Sequence, residues 1–306
     1  MDLLVDIAFG IIVAATPLLF AALGELVVEK SGVLNLGVEG MMVMGAIAGF
    51  AGTIGSGSYV AGAIAGAAAG ALMALLFGFL TLTLLANQVA TGLALTLFGL
   101  GLSALIGQSY SGLSLGGFPR LHIPVLSDIP LVGRLLFGQD LFVYLSIALT
   151  ALVGWGLAAT RAGLILRAVG ENHDAAHAIG YSVVGVRYLA VAFGGAMAGL
   201  GGAYLSLVQT PLWVEKMSAG RGWIALALVV FAAWRPARVL GGAYLFGGIT
   251  VLQLHGQGLG LALDAQILSM LPYLATILVL VVISRDRGRL KLDAPACLAK
   301  IFHATG

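Results

Sequence analysis

Apolar residues fill this chain in long runs, separated by short polar or glycine-rich breaks. No Asp, Glu, Lys or Arg occurs in 40–119, 141–160, 188–214, 239–263 or 265–284. A hydrocarbon core of about 30 Å takes roughly 20 helical residues to cross, so runs of this length are read as membrane spans. The pattern predicts an all-α polytopic membrane protein of about nine (8–10) transmembrane helices, at 3–23, 36–52, 59–86, 89–107, 141–160, 184–208, 218–234, 239–254 and 265–284. The breaks are small: 52–58 is a Gly/Ser turn, and Asn87 and Gln88 alone part the third run from the fourth. Asp2 and Asp6 lie at the start of the first run, with no Lys or Arg before it. A secretory signal needs a basic leading region, so this run reads as a retained span.

Composition agrees with the pattern and removes other classes. Hydrophobic residues make up 60% of the 306 and charged residues 9%, with a mean hydropathy of +1.06. A soluble domain carries about 25% charged residues, so a cytosolic globule is excluded. A net charge of +2 provides no basic surface for nucleic acid. The single cysteine, Cys297, rules out an internal disulfide framework. The 45 glycines suit a membrane bundle, where small residues let helices approach closely; Gly62, Gly66 and Gly70 form one such stripe.

The positions of Lys and Arg set the orientation, because basic loops stay in the cytoplasm. With Arg285, Arg287, Arg289, Lys291 and Lys300 inside, alternation also places Arg235, Arg238, Arg161, Arg167, Arg187 and Lys30 inside. Only Arg120, Arg134, Lys216 and Arg221 fall outside, so an N-out, C-in arrangement is self-consistent. Residues 1–284 then form a single transmembrane domain and 285–306 a cytoplasmic tail. Segment 108–140, with Pro119, Pro124 and Pro130, becomes an external loop, and 161–187 a cytoplasmic one.

The cytoplasmic loop is the more informative of the two. Gly170 is expected to break the chain, Asn172 to cap a short helix over about 173–179 with Asp174 in its first turn, and Gly180 to stop it. Such a helix is marginal alone in water, so it is expected to rest against something, either as an interfacial linker or as a docking element. His173 and His177 have the i, i+4 spacing of a zinc-binding helix. They lack its Glu and a third ligand, and read as two solvated histidines. No G-x-x-x-x-G-K-[ST] phosphate loop and no G-x-S-x-G nucleophile elbow is present.

At the second span the chain reads SGVLNLGVEG over 31–40. Gly32, Gly37 and Gly40, with Asn35 and Glu39, make a poor continuous lipid-facing helix. They predict a broken or half-inserted one lining a cavity. An intramembrane carboxylate such as Glu39 is either a substrate or gating group or a structural tie between helices. Asn87, Gln88 and Thr91 form a second polar cluster. Gln209, Gln253 and His255 lie near span ends, and Trp213, Trp223 and Trp234 read as interfacial anchors.

Two stretches together resemble a known family: TPLLFAALGELVVEKSGVLNLGVEGMMVMGA, Thr16 to Ala46, and RAVGENHDAAHAIG, Arg167 to Gly180. They look like the membrane subunits of bacterial ATP-binding-cassette (ABC) importers for ribose, other simple sugars and nucleosides. The branched-chain amino-acid permeases are more distantly similar. The likeness covers about 16–284, and SGVLNLGVEGMM is most similar to the nucleoside-type branch, whose importers combine two different permease subunits. The chain looks like the shorter of those two; His173 and His177 depart from the pattern.

The resemblance implies a coupling helix seated in a groove of a separate ATPase subunit, with Arg167, Gly170, Glu171, Asn172, Ala175, Ala176 and Gly180 at that junction. It implies a pathway at the interface with the second permease, for which Asn35, Glu39, Asn87, Gln88 and Thr91 are the lining candidates. It also implies an extracytoplasmic substrate-binding protein, residence among the lipids of a bacterial inner membrane, and no cofactor. A proton-coupled secondary transporter would share the glycine-broken helices and Glu39, but the sequence offers few further buried titratable groups for a relay. A membrane-embedded enzyme needs a paired nucleophile and base, and only His255 and Asp264 lie near span ends.

Overall fold

The computed structural model describes residues 2–119 and 132–258, scattered positions within 121–129 and 270–281, and 294–303. Eleven α-helices are found among them: α1 (Asp2–Lys30), α2 (Val38–Ser56), α3 (Tyr59–Gly78), α4 (Gln88–Gly107), α5 (Val132–Leu136), α6 (Leu141–Ala159), α7 (Arg161–Glu171), α8 (His173–Ala178), α9 (Val183–Tyr204), α10 (Arg221–Phe231) and α11 (Pro236–Gly258). One π-helical turn, Phe79–Thr83, continues α3 and another, Leu205–Gln209, continues α9.

Seven of these helices are long and apolar enough to cross a membrane: α1, α2, α3, α4, α6, α9 and α11. The protein is therefore a polytopic helical membrane protein. The expected seventh span, 218–234, is instead the 11-residue α10. At 1.5 Å per residue it rises about 16 Å, half of a bilayer core. The expected ninth span, 265–284, lies outside the described residues apart from isolated positions.

The core is organised around α9, which packs along α1, α2 and α3. Small residues make this possible. A Cβ on Gly66 would lie 2.7 Å from the Ala203 Cβ, and one on Gly70 would run into the Gly195 carbonyl. The expected stripe of Gly62, Gly66 and Gly70 thus lies on the face of α3 that meets α2 and α9, where every one of the three is buried. Ile64, Leu72, Leu97 and Leu189 point outward, as lipid-facing side chains do. Trp213 and Trp234 are buried, not interfacial; the Trp213 ring lies over Gly107 at the end of α4.

Gly70→Val is expected to force α3 away from α9, costing at least about 2 kcal/mol by overpacking. Gly101→Val on α4, where nothing lies within 4 Å, should be close to neutral. Thermal unfolding of the two purified variants in one detergent compares them directly.

Candidate translocation seam and coupling surface

The glycines and polar residues of 31–37 form non-helical backbone between α1 and α2. Helix α1 ends at Lys30 and α2 begins only at Val38. The level of that start follows from packing. A Cβ on Gly201 would lie 2.8 Å from the Pro17 carbonyl, and one on the adjacent Gly202 would collide with the Met42 carbonyl, so Pro17 and Met42 are level. Pro17 is thirteen residues along α1 from Lys30, about 20 Å. Val38, one turn before Met42, then lies about 14 Å along α1 from the Lys30 end. Residues 31–37 fill that interval without helix.

Non-helical backbone away from water survives only if protein satisfies its polar groups. Here α1 and α4 do so. Glu25 Oε1 accepts from the Asn35 amide at 3.1 Å, and Gln88 Oε1 from the Leu34 amide at 2.8 Å. The Thr96 hydroxyl donates to the Leu36 carbonyl at 3.1 Å, and Asn35 Oδ1 accepts from the Gly37 amide at 2.9 Å. Gly92 lets α4 lie against this backbone, since a Cβ there would come 2.8 Å from the Leu36 nitrogen.

Glu39 follows directly, in the first turn of α2, and is 5% exposed. Its Oε1 accepts from the Ser218 hydroxyl at 2.5 Å and the Gly220 amide at 2.8 Å, and its Oε2 from the Gly222 amide at 2.6 Å. The carboxylate therefore caps the start of α10 while sitting in the first turn of α2. Its oxygens thus lie against the backbone N–H groups at the start of α10.

The five residues expected at the pathway thus separate. Asn35, Gln88 and Glu39 are buried in this seam, whereas Asn87 is exposed, capping α4 through the Ala90 amide, and Thr91 is half-buried. Two carboxylates that the sequence reading passed over are buried with them. Glu25 and Glu29 are each 1% exposed, and Glu29 Oε2 accepts from the Trp234 indole at 2.5 Å, pinning the turn after α10. Their signal was spacing: i and i+4 on α1 in an otherwise apolar helix, facing the motif at 31–40.

The loop after α6 carries the second candidate site. Gly170 does not break the chain. Helix α7 runs through it to Glu171, and Gly170 is where α7 meets α1, since a Cβ there would collide with the Lys30 carbonyl. The break comes at Asn172, whose side chain accepts from the Ala175 amide at 3.0 Å and caps the six-residue α8. Gly180 ends this stretch at φ +94°. Ala176 faces inward at 2% exposure, whereas Asp174, Ala175 and Ile179 are exposed, as are Arg167 and Glu171 on α7.

The two histidines are not simply solvated, because both rings pack 5.3 Å from Phe302. His173 is buried, and its Nδ1 lies 3.2 Å from Nη2 of Arg187, a guanidinium buried at the foot of α9. Arg187 also donates to the Ser31 carbonyl at 3.1 Å. Burial first, and then the charge of Arg187, hold the His173 imidazole below its ordinary value, with Asp174 opposing.

A family of proteins described as the branched-chain amino acid transport system / permease component matches residues 7–283. A Haloferax volcanii protein provisionally named a glucose ABC transporter permease is 43% identical, over 95% of each chain. The guanosine ABC transporter permease of Bacillus subtilis is 33% identical over 88% of this chain and 89% of its own. The nucleoside ABC transporter permease of Lactococcus lactis subsp. cremoris is 32% identical over 90% of each.

Two expectations follow from the geometry. Glu39→Gln puts an amide N–H against a backbone N–H, and should lower stability by about 2 kcal/mol. Unfolding of the purified protein measures this, and a substrate-binding Glu39 would instead change apparent KM with stability intact. Protonation of His173 is unfavourable in the folded state, so its stabilisation is complete above the unfolded value of about 6.5 and declines as pH falls below it. His173→Asn, which keeps an acceptor without a titrating group, should therefore lose less thermal stability than the parent between pH 7 and pH 5.

A model match over most of the chain, with relatives above 30% identity along nearly its whole length, establishes that this chain belongs to the branched-chain amino acid transport system permease family.

Proposed function

We propose that this chain is the permease subunit of an ABC importer, forming with a second permease the pathway for a sugar or nucleoside and driven by a separate ATPase. The observation that carries this reading is near full-length similarity to permeases named for glucose, guanosine and nucleoside transport. Such substrates are neutral and rich in hydroxyls, which suits amide and hydroxyl side chains over fixed charges. The exposed position of Asn87 and the half-buried one of Thr91 support contact with substrate at the interface with the second permease. The buried bonding of Asn35, Gln88 and Glu39 supports a role in holding the wall of that pathway.

In this reading α8 is the coupling helix, presenting Asp174, Ala175 and Ile179 to a groove of the ATPase. The chain is N-out and C-in, and crosses nine times: seven long helices, α10 with the stretch before it, and the apolar run 265–284. Segment 108–140 faces a substrate-binding protein outside the membrane. Glu25 and Glu29 supply buried titratable groups that a proton-coupled transporter would need, but relatives named as ABC permeases favour ATP as the driver.

Ala175→Arg and Ile179→Arg are expected to cut uptake of radiolabelled glucose or guanosine by tenfold or more, by about 1.4 kcal/mol or more of lost coupling, while the protein still inserts. Full uptake and undiminished co-purification with the ATPase would overturn the coupling assignment. Uptake abolished by an uncoupler yet indifferent to loss of the ATPase would overturn the ATP-driven reading itself.

A further inference from the structure

A six-residue helix has too few internal hydrogen bonds to hold its own shape or direction. Segment 294–303, far away in the sequence, packs on α8 through Phe302 and bonds to the elements around it. The Cys297 amide donates to the Gly170 carbonyl at 2.8 Å, and the Ala296 amide to Glu171 Oε2 at 3.1 Å. The Ala299 amide donates to the Gly32 carbonyl at 3.1 Å, in the stretch before α2. Arg187 Nη1 donates to the Lys300 carbonyl at 3.1 Å. Phe302 closes the contact: it lies against both histidine rings and joins Val169, Ala176 and Val183 in a small apolar cluster of its own.

The side of α8 on which this segment lies decides between two roles. An inhibitor of docking would cover the outward residues. Phe302 instead covers the face of His173 and Ala176, and leaves Asp174, Ala175 and Ile179 exposed. The segment also bonds to groups that do not belong to the loop at all, Gly32 before α2 and Arg187 on α9. Arg187 in turn holds Ser31 and His173, so one guanidinium joins the loop helix, the segment and the non-helical stretch before α2.

We propose that segment 294–303 is a brace that fixes α8 to the foot of α9 and to residues 31–32, so that a displacement of α8 reaches the non-helical stretch before α2 as a rigid movement. The proposal rests on the coupling role given to α8 above. In it, Phe302, Arg187 and Glu171 are positioning residues that touch neither substrate nor nucleotide. Removing the brace leaves the docking face in place and loosens what lies behind it.

The test uses the full transporter in lipid nanodiscs, with its ATPase and second permease. Phe302→Ala is compared with the conservative Phe302→Leu, and Glu171→Ala removes one exposed anchor without touching the apolar cluster. Cys297, the single cysteine of the chain and a buried member of the brace, reports its seating through its rate of alkylation by a maleimide. Phe302→Ala is expected to raise that rate about tenfold, as local opening becomes easier. It should also lower substrate moved per ATP hydrolysed by about five- to tenfold, within the range that coupling residues span. ATPase association should be retained, Phe302→Leu should behave nearly as the parent, and Glu171→Ala should shift both readouts in the same direction by less.

Unchanged alkylation in both Phe302→Ala and Glu171→Ala overturns the brace, and so does faster alkylation with unchanged transport per ATP. If Phe302→Ala fails to assemble, Glu171→Ala decides by the same two readouts. Ala175→Arg, run alongside, separates the two levels. Its loss of ATPase association with no effect of the brace variants sinks only the brace, whereas full transport in Ala175→Arg sinks the coupling role on which the brace depends.

Discussion

One buried carboxylate determines how the middle of this membrane protein is built. Glu39 lies where α2 begins and where α10 begins beside it, and accepts from Ser218, Gly220 and Gly222. Two buried helix N-termini would otherwise present unpaired amides to a region without water, each a cost of several kcal/mol. A single carboxylate there satisfies donors of α10. Discontinuous helices of this kind recur in transporters because an interrupted helix offers backbone polar groups at depth. Here those groups are turned to a side chain of the same chain, which joins α2 to α10.

The joint requires a close-packed surround, which the glycines provide. Residues 31–37 can lie flat against α4 because Gly92 has no Cβ, and α9 can lie against α2 and α3 because of Gly66, Gly70 and their neighbours. Lipid supplies no hydrophobic force that would press helices together, so contact area and hydrogen bonds have to do it. The same lack of side chains makes the contacts unforgiving, since backbone atoms cannot rotate away from an added methyl group. Movement in such a bundle is therefore expected at its breaks, where the second span and α10 begin, and not along the packed helix faces.

Much of this was legible in the sequence, and what was not has physical causes. The apolar runs gave the seven long helices, since a bilayer sets their length, and the glycines and Asn35 in 31–40 marked the non-helical stretch before the second. The length of α10 was hidden because the turns at 218–220 and 232–234 that flank it continue its apolar composition. Gly170 was misread for a related reason. A glycine in a short loop helix looks like a stop, but this one is required by the approach of α7 to Lys30, a contact between positions 140 residues apart. Glu25 and Glu29 were overlooked because carboxylates near a span end normally reach water. Only the folded chain shows that the 31–37 backbone and Trp234 take that place.

The distant contacts also show why the two sites cannot be separate devices. Ser31 and Gly32 bond to Arg187 and Ala299, Leu34 and Asn35 bond to Gln88 and Glu25, and Glu39 bonds to α10. These lie within nine residues of backbone, 31–39, of which 31–37 have no helix to absorb a displacement. Energetic coupling between remote sites needs an element with discrete arrangements that both ends can bias. A non-helical segment gripped at one end by Arg187 and Ala299 and at the other by a helix-capping carboxylate meets that description. A push at its first end either breaks hydrogen bonds buried in a low dielectric, at about 1–3 kcal/mol for each group left unpaired, or carries Glu39 and the start of α10 with it. The second course is the less costly one, and it leads from α9 to α10.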